Sequence, residues 1–191
     1  MKKQRLIFVH GGQGCGKSTV TNSLRENLTH TTLMRLAGVP SNQSDANNCA
    51  FKYHLAMLQS VQLSTQTGMN FVFDRSFLCE RVYANLGFKK HSFEHETEEL
   101  NRFIETLTDH YEVWFVLLTA SEHTLETRLN RGDKPQFEHV KFDSTNSLNQ
   151  QKEYQNEFKK LPPSVHQLIL NTDGKTSEEV ANHIIKLTKG E

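Results

Sequence analysis

The chain has 191 residues, in which Lys+Arg and Asp+Glu balance at 22 each. This length fits one domain with a sizeable core, and the balanced charge speaks against a general polynucleotide or membrane-surface binder, whose charge is normally lopsided. Three cysteines, Cys15, Cys49 and Cys79, lack C-x-x-C spacing and so suggest neither a zinc cage nor a disulfide framework; they suit a reducing cytoplasm, and no stretch approaches the roughly 20 apolar residues of a membrane span.

Residues 6–9 form a short continuous apolar run, the mark of a strand buried on both faces. The glycine-rich stretch GGQGCGKST follows at 11–19, and Val20, Leu24 and Leu28 then recur every fourth residue, which predicts a helix. Residues 31–36 suit a second strand, and a polar loop is expected over about 38–48. Phe51, Leu55 and Leu58 predict a helix running to about Thr67 and ended by Gly68. A third strand at 71–73 ends at Asp74. Leu100, Phe103, Ile104 and Leu107 stand at i, i+3, i+4 and i+7, after an acidic stretch at 94–99 read as the solvated first turns of that helix. The run 113–118 is the clearest strand. Leu125 and Leu129 continue into a helix that Ser121 can cap, and 132–146 reads as a polar loop. Tyr154, Phe158 and Leu161 give a helix closed by Pro162 and Pro163. A last short strand at 168–170 leads to Thr176 and Glu179, a capping box before Val180, Ile184 and Leu187.

Strands alternating with helices predict an α/β domain whose sheet is mainly parallel. Ligands of such sheets gather at the carboxyl ends of the strands. The positions that matter most are therefore the glycine loop, Arg35, Asp74 with Arg75, and 171–174.

Gly11, Gly16, Lys17 and Ser18 satisfy G-x-x-x-x-G-K-[ST] between a predicted strand and a predicted helix, the context that confirms a phosphate-binding loop. Its backbone N–H groups, from Gly11, Gly12, Gln13, Gly14, Cys15 and Gly16 onward, curl toward phosphate oxygens. Lys17 suits the β- and γ-phosphates of ATP, Ser18 suits Mg²⁺, and Thr19 suits the α-phosphate. Cys15 has a packing role as its plain alternative. No N-K-x-D guanine reader follows; the nearest stretch, NTDG at 171–174, lacks the lysine. Asp74 ends an apolar strand, where a carboxylate can hold Mg²⁺ beside Ser18, and the guanidinium of Arg75 is suited to a bidentate grip on phosphate. A surface Asp–Arg pair is the plain alternative.

At these residues the chain resembles the thymidylate kinase and deoxynucleoside kinase superfamily. DRSFLCERVYANLG is similar to the D-R-Y/F…A-Y-Q segment of thymidylate kinases through Asp74, Arg75 and Tyr83, with Ala84 in place of the glutamine. It is also similar to the E-R-S…S-D-R-Y segment of deoxynucleoside kinases through Arg75, Ser76 and Arg81. RLNRG, with Arg128, Arg131 and Gly132, resembles the opening of the family's lid, and the ending TDGKTSEEVANHIIKL has the family's look. The chain departs from the pattern at RLAG, which keeps Arg35 and Gly38 but lacks the R-E-P-G glutamate and proline, and at Gln136, where many lids have an arginine. The resemblance implies a single domain over 1–191 with the P-loop NTPase fold, a five-stranded sheet with helices on both faces and a mobile lid at about 128–146. It implies ATP and Mg²⁺, Arg128 stacked on adenine, and Arg131, helped by Lys134, on the transferring phosphoryl group. Tyr53 and His54 fall on the helix where the superfamily reads its base. A homodimer is an analogy of the same kind; no membrane or long nucleic acid is expected as a partner.

A nucleoside 5′-hydroxyl must lose a proton during transfer and benefits from a base. Deoxynucleoside kinases supply a glutamate after the second strand, whereas residues 34–42 here contain no acid, and Asp45 comes only later. A monophosphate is already ionised and needs cations, which Arg35 and Arg75 offer. The expected activity is therefore transfer of the ATP γ-phosphoryl group to a (deoxy)nucleoside monophosphate. A deoxynucleoside kinase with Asp74 as base is the alternative. A non-catalytic ATP-sensing module is a third reading, against which Asp74 and Arg75 count.

Overall fold

A computed structural model describes residues 3–36, 45–130 and 143–189. Its elements run β1 (Gln4–Gly11), α1 (Lys17–Asn27), β2 (Thr31–Arg35), α2 (Ala46–Leu63), β3 (Asn70–Asp74), α3 (Leu78–Asn85), α4 (Glu94–Leu107), β4 (Tyr111–Thr119), α5 (Glu122–Leu129), α6 (Ser144–Phe158), β5 (His166–Asn171) and α7 (Ser177–Lys189). The strands form one sheet in the order β2-β3-β1-β4-β5, and every pairing is parallel.

The central strand shows why an unbroken apolar run was needed. Successive side chains of a strand point to opposite faces. Leu6 and Phe8 enter a core with Phe73, Leu100, Phe115 and Phe158, while Ile7 and Val9 enter another with Val20, Leu24, Val116 and Ile184. The sheet is thus covered on one face by α2, α3, α4 and α6, and on the other by α1, α5 and α7. All five expected strands are present at their expected places. No helix among the described residues is long and apolar enough to cross a membrane.

Three helices differ from expectation at their ends or in their existence. Helix α2 starts at Ala46, inside the expected loop, because Ala46 and Ala50 are small enough to pack flush against the core. It stops at Leu63 rather than near Thr67; the chain turns through Ser64–Thr67 hydrogen bonds before Gly68 adopts φ 71. Helix α3 was not foreseen. Its buried residues include Glu80 and Arg81 beside Leu78, Cys79 and Val82, so polarity does not mark its inner face. Helix α6 begins at Ser144 for the same reason: Ser147, Gln150 and Gln151 are buried ahead of Tyr154.

Candidate active site

The loop between β1 and α1 closes on itself. Gly16 precedes α1 at φ 85, a left-handed conformation that a Cβ makes costly. Gly12 is confined from outside: a Cβ there would lie 2.5 Å from the Ser147 carbonyl oxygen of α6. Lys17 Nζ donates to the carbonyl oxygens of Gly11 and Gly12, both at 2.8 Å. Burial, then the charge of Arg75, lowers its pKa to about 8, against upward pulls that include Asp74. Helix α1 has no acid in its first turn, so its positive end is left uncompensated. Residues 13–20 of the loop and helix line a cavity of about 640 Å³, with Ser18 and Thr19 exposed to it. Gly11 and Gly12 stand behind that lining. Cys15 is fully buried in the α1–α7 core, and burial raises its pKa; it packs.

Across the cavity lies the turn after β3. Asp74 pairs in register with Val9 of β1 and with Arg35 of β2. It is buried, and its Oδ1 has no hydrogen-bond partner among the described residues. Arg75 adopts φ 81, a backbone state that costs an L-residue about 1–2 kcal/mol, and its N–H donates to Val9 O at 3.0 Å. Arg75 lines the same cavity as Lys17, and its charge acts on that of Lys17. Arg75 Nη1 donates to Tyr83 Oη of α3 at 3.0 Å. Burial opposes the guanidinium charge, but Tyr83, Cys79 and Tyr154 together raise its pKa, so it stays charged. Helix α3 is itself anchored: Arg81 donates to Ser92 O at 2.7 Å and pairs with Glu94 at 3.0 Å, and Glu80 pairs with Lys89.

The third wall comes from the loop after β5. Arg128, at the end of α5, donates from Nη1 to Gly14 O at 3.2 Å and to Thr172 Oγ1 at 2.9 Å, and from Nη2 to Thr172 O at 3.0 Å. It thereby straps the phosphate loop to the β5–α7 loop, and Lys175, Thr176 and Ser177 complete that side. The NTDG stretch is spent internally. Both carboxylate oxygens of Asp173 accept from Ser121 N, at 3.0 and 3.2 Å. Its N–H donates to Asn171 Oδ1 at 2.6 Å. A carboxylate so engaged is no guanine reader.

Of the residues singled out in the sequence, Gln13, Gly14, Cys15, Gly16, Lys17, Ser18, Thr19, Arg75 and Arg128 meet around one cavity. Tyr83 supports Arg75 from behind. Arg35 is exposed at the end of β2 and donates to Asn22 Oδ1. Tyr53 is half-buried on α2. His54 is buried edge-on to Phe77 and Phe93, and burial with the charge of Lys89 lowers its pKa to about 4; it sits in the core and does not line the cavity. Arg131, Gly132, Lys134, Gln136 and Gly38 lie outside the described residues. Sequence reading missed the brace on the loop: Gln13 N donates to Gln150 Oε1 at 3.2 Å, and Ser147 Oγ donates to Gln13 O at 2.5 Å. Nothing in a polar helix stretch signals such contacts. Lys175 was also missed, although its place just after the last strand was the clue.

A family model described as an AAA domain matches residues 6–145, a span that takes in the phosphate loop, the Asp74–Arg75 turn and Arg128. The chain belongs to that family. No curated protein matches the sequence of this AAA-domain chain. Among solved structures it is similar to thymidylate kinase from Candida albicans, at 17% identity and TM-score 0.67 over 98% of this chain and 92% of that one. It is also similar to deoxyadenosine kinase from M. mycoides with bound dCTP, at 17% identity and TM-score 0.58 over 96% and 99% of the two chains. Shikimate kinase from Acinetobacter baumannii in complex with shikimate gives 14%, 0.58, 98% and 94% for the same measures. At these identities the likeness is one of fold. The AAA-domain chain has the kinase-like P-loop fold expected from its sequence.

The donor set also fits a hard cation. A buried carboxylate oxygen without a partner, near enough to Lys17 to act on its pKa, is costly unless something positive takes it. With the exposed Ser18 hydroxyl it is the kind of oxygen donor that a phosphate-bound Mg²⁺ would take.

Proposed function

We propose that this chain is an ATP- and Mg²⁺-dependent kinase that moves the γ-phosphoryl group of ATP to a small nucleotide, with a (deoxy)nucleoside monophosphate as acceptor. The observation that carries this reading is the meeting of two cations, the buried Lys17 and the half-buried Arg75, around one cavity, with the unpartnered Oδ1 of Asp74 close enough to act on Lys17. A simple ATP switch needs the first cation; a second, built into a strained turn and fixed by Tyr83, suits a second anion.

In this reading the loop amides and the positive end of α1 hold the polyphosphate. Lys17 leaves the Gly11 and Gly12 carbonyls for the β- and γ-phosphates. Ser18 and Asp74 would hold Mg²⁺, which would supply positive charge to offset that of the phosphates. Arg128 and the β5–α7 loop flank the base, and Arg75 holds the acceptor phosphate, with Arg35 at the neighbouring strand end. An acceptor phosphate oxygen forms the new bond to the γ-phosphorus as the bond to the β-phosphate oxygen breaks, leaving ADP and a diphosphate. Catalysis is then mostly positioning and charge stabilisation. The single-domain reading, with residues 128–146 as a lid that brings Arg131 to the transferring group, belongs to the same proposal.

Asp74 supports one second reading. Its free oxygen could take the proton of a nucleoside 5′-hydroxyl, which would make the chain a deoxynucleoside kinase. Coupled ADP release, measured over a panel of deoxynucleoside monophosphates and nucleosides with and without Mg²⁺, decides between them. The proposal expects Mg²⁺-dependent turnover on monophosphates. Turnover on nucleosides alone overturns the acceptor, and ADP release indifferent to any acceptor overturns the transfer.

A further inference from the structure

His10 is the last side chain before the phosphate loop, and neither the sequence pattern nor the proposed chemistry uses it. It is fully buried, so it touches neither solvent nor a ligand in the cavity. Its ring stacks on Phe115, with centroids 5.7 Å apart and planes within 6°, and packs against Tyr154 and Phe158. Burial, then the charges of Lys17 and Arg75, lowers its pKa to about 3, against a smaller upward pull from the backbone at Phe8 and Val116. The ring is neutral at any working pH. Its Nε2 is hydrogen-bonded to Ser76 Oγ at 2.7 Å.

Ser76 is a junction. It follows Arg75, the residue held at φ 81. Its hydroxyl oxygen accepts from Leu78 N at 3.2 Å, and its carbonyl accepts from Cys79 N at 3.0 Å, so it also fixes the start of α3. Helix α3 in turn delivers Tyr83 to Arg75. One buried hydrogen bond therefore ties the end of β1, which opens the phosphate loop, to the turn and the helix that aim the opposite arginine. A strained backbone state persists only where its surroundings over-determine it; at this turn the backbone ties are Arg75 N to Val9 O at 3.0 Å and the longer Leu36 N to Asp74 O at 3.4 Å, and the Ser76 bond adds a side-chain tie from β1.

We propose that His10 is a positioning residue that, through Ser76, sets the Asp74–Arg75 turn against the phosphate loop, and so governs use of the acceptor rather than binding of ATP. The catalytic part of this rests on the kinase reading above; the geometric part does not. The test uses Ser76→Ala, His10→Phe, which keeps an aromatic ring in the stack, the double variant, and His10→Gln, whose amide can still reach Ser76. Loss of the His10–Ser76 hydrogen bond should lower kcat/KM for the acceptor about tenfold in His10→Phe, and at least as much in Ser76→Ala, which also removes the acceptor of Leu78 N. The double variant should be no worse than Ser76→Ala alone, because the bond that His10→Phe removes is already lost there. His10→Gln should recover most of the loss, and the affinity for a non-hydrolysable MgATP analogue should change less than about twofold in all four.

Native-state amide exchange gives a readout that needs no turnover. The Arg75 N–H should lose about tenfold in protection in Ser76→Ala and His10→Phe, whereas the Val20 N–H, bonded to Gly16 O at 3.0 Å in the phosphate-loop helix, should not. Additive losses, a parallel fall in nucleotide affinity, or unchanged protection at Arg75 overturns the proposal. If no acceptor is turned over by the wild type but Arg75 still loses protection selectively, the kinase reading fails and the strut stands. Should His10→Phe not fold, Ser76→Ala with His10→Gln gives the same decision.

Discussion

The clearest quantitative consequence of the site concerns Lys17 and pH. In the free protein its ammonium group is buried, faces Arg75, and has its pKa lowered to about 8 from an ordinary 10.5. A bound polyphosphate reverses both influences by adding negative charge at the ammonium, so the bound-state pKa returns to the ordinary value or above. Below pH 8 the lysine is charged in both states and affinity is flat. Above pH 8 the free protein has lost the proton and binding must take one up, so Kd rises with pH. Between about 8 and 10.5 the ceiling is roughly 3 kcal/mol, or a few hundredfold; at pH 9 the expected weakening is about tenfold relative to pH 7. Calorimetric titration of a non-hydrolysable MgATP analogue, in two buffers of different ionisation enthalpy, reads both the affinity and the proton. Lys17→Arg is the control, because a guanidinium does not titrate in this range. The sign is opposite for folding. A lysine with a depressed pKa destabilises the unliganded protein most below pH 8, and that cost is relieved as pH rises toward 10.5. A Kd flat from pH 7 to 9.5, or the same slope in Lys17→Arg, refutes the reasoning.

Three further outcomes follow from single contacts. Gly12→Ala drives a Cβ to 2.5 Å from the Ser147 backbone oxygen, which should cost about 1–3 kcal/mol of stability and lower Tm by several degrees; an unchanged melting curve contradicts the close packing of α6 on the loop. Tyr83→Phe removes the oxygen that accepts from Arg75 Nη1 at 3.0 Å; kcat/KM for the acceptor should fall roughly tenfold, with nucleotide affinity intact, and a parallel fall in both argues against a second anion site at Arg75. Slight burial pulls the Asp173 carboxyl upward, but hydrogen bonds from Ser121, Thr124 and Asn171 outweigh it and hold the pKa down to about 2. Its stabilising share is therefore present above its ordinary 3.8 and lost as pH falls through 2. Subtracting the denaturant stability of Asp173→Asn from that of wild type should give a difference that shrinks over this window, and a constant difference sinks the assignment.

What the sequence made legible was whatever writes itself in apolar period or in backbone necessity. The five strands stand where their apolar runs are: β1, β3 and β4 carry the buried residues, while the edge strands β2 and β5 are half-buried to exposed. The phosphate loop could be read in full, since only glycine tolerates φ 85 at Gly16 or the approach of Ser147 at Gly12. The Thr176–Glu179 capping box formed as expected, with Thr176 N donating to Glu179 Oε2 at 2.7 Å and Glu179 N donating to Thr176 Oγ1 at 3.2 Å. Ser121 caps α5 through Thr124 N. Buried polarity was what stayed hidden. Helix α3 turns Glu80 and Arg81 inward, and α6 turns Ser147, Gln150 and Gln151 inward, so neither shows the apolar stripe that marks an inner face. His10 looked like an unremarked residue at a strand end, and only its 2.7 Å approach to Ser76 gives it a role. His54 illustrates the reverse: its place on α2 suggested a base reader, yet it sits edge-on to Phe77 and Phe93 in the core.

The central claim is that Lys17 and Arg75 hold two phosphate-bearing molecules in line for transfer. It is tested most directly by incubating the protein with Mg²⁺, ATP radiolabelled at the γ-phosphate and each deoxynucleoside monophosphate in turn, then separating the products. The account predicts label in a deoxynucleoside diphosphate, abolished in Arg75→Ala while the MgATP analogue still binds; label that goes only to inorganic phosphate or to a nucleoside, whichever acceptor is supplied, contradicts it.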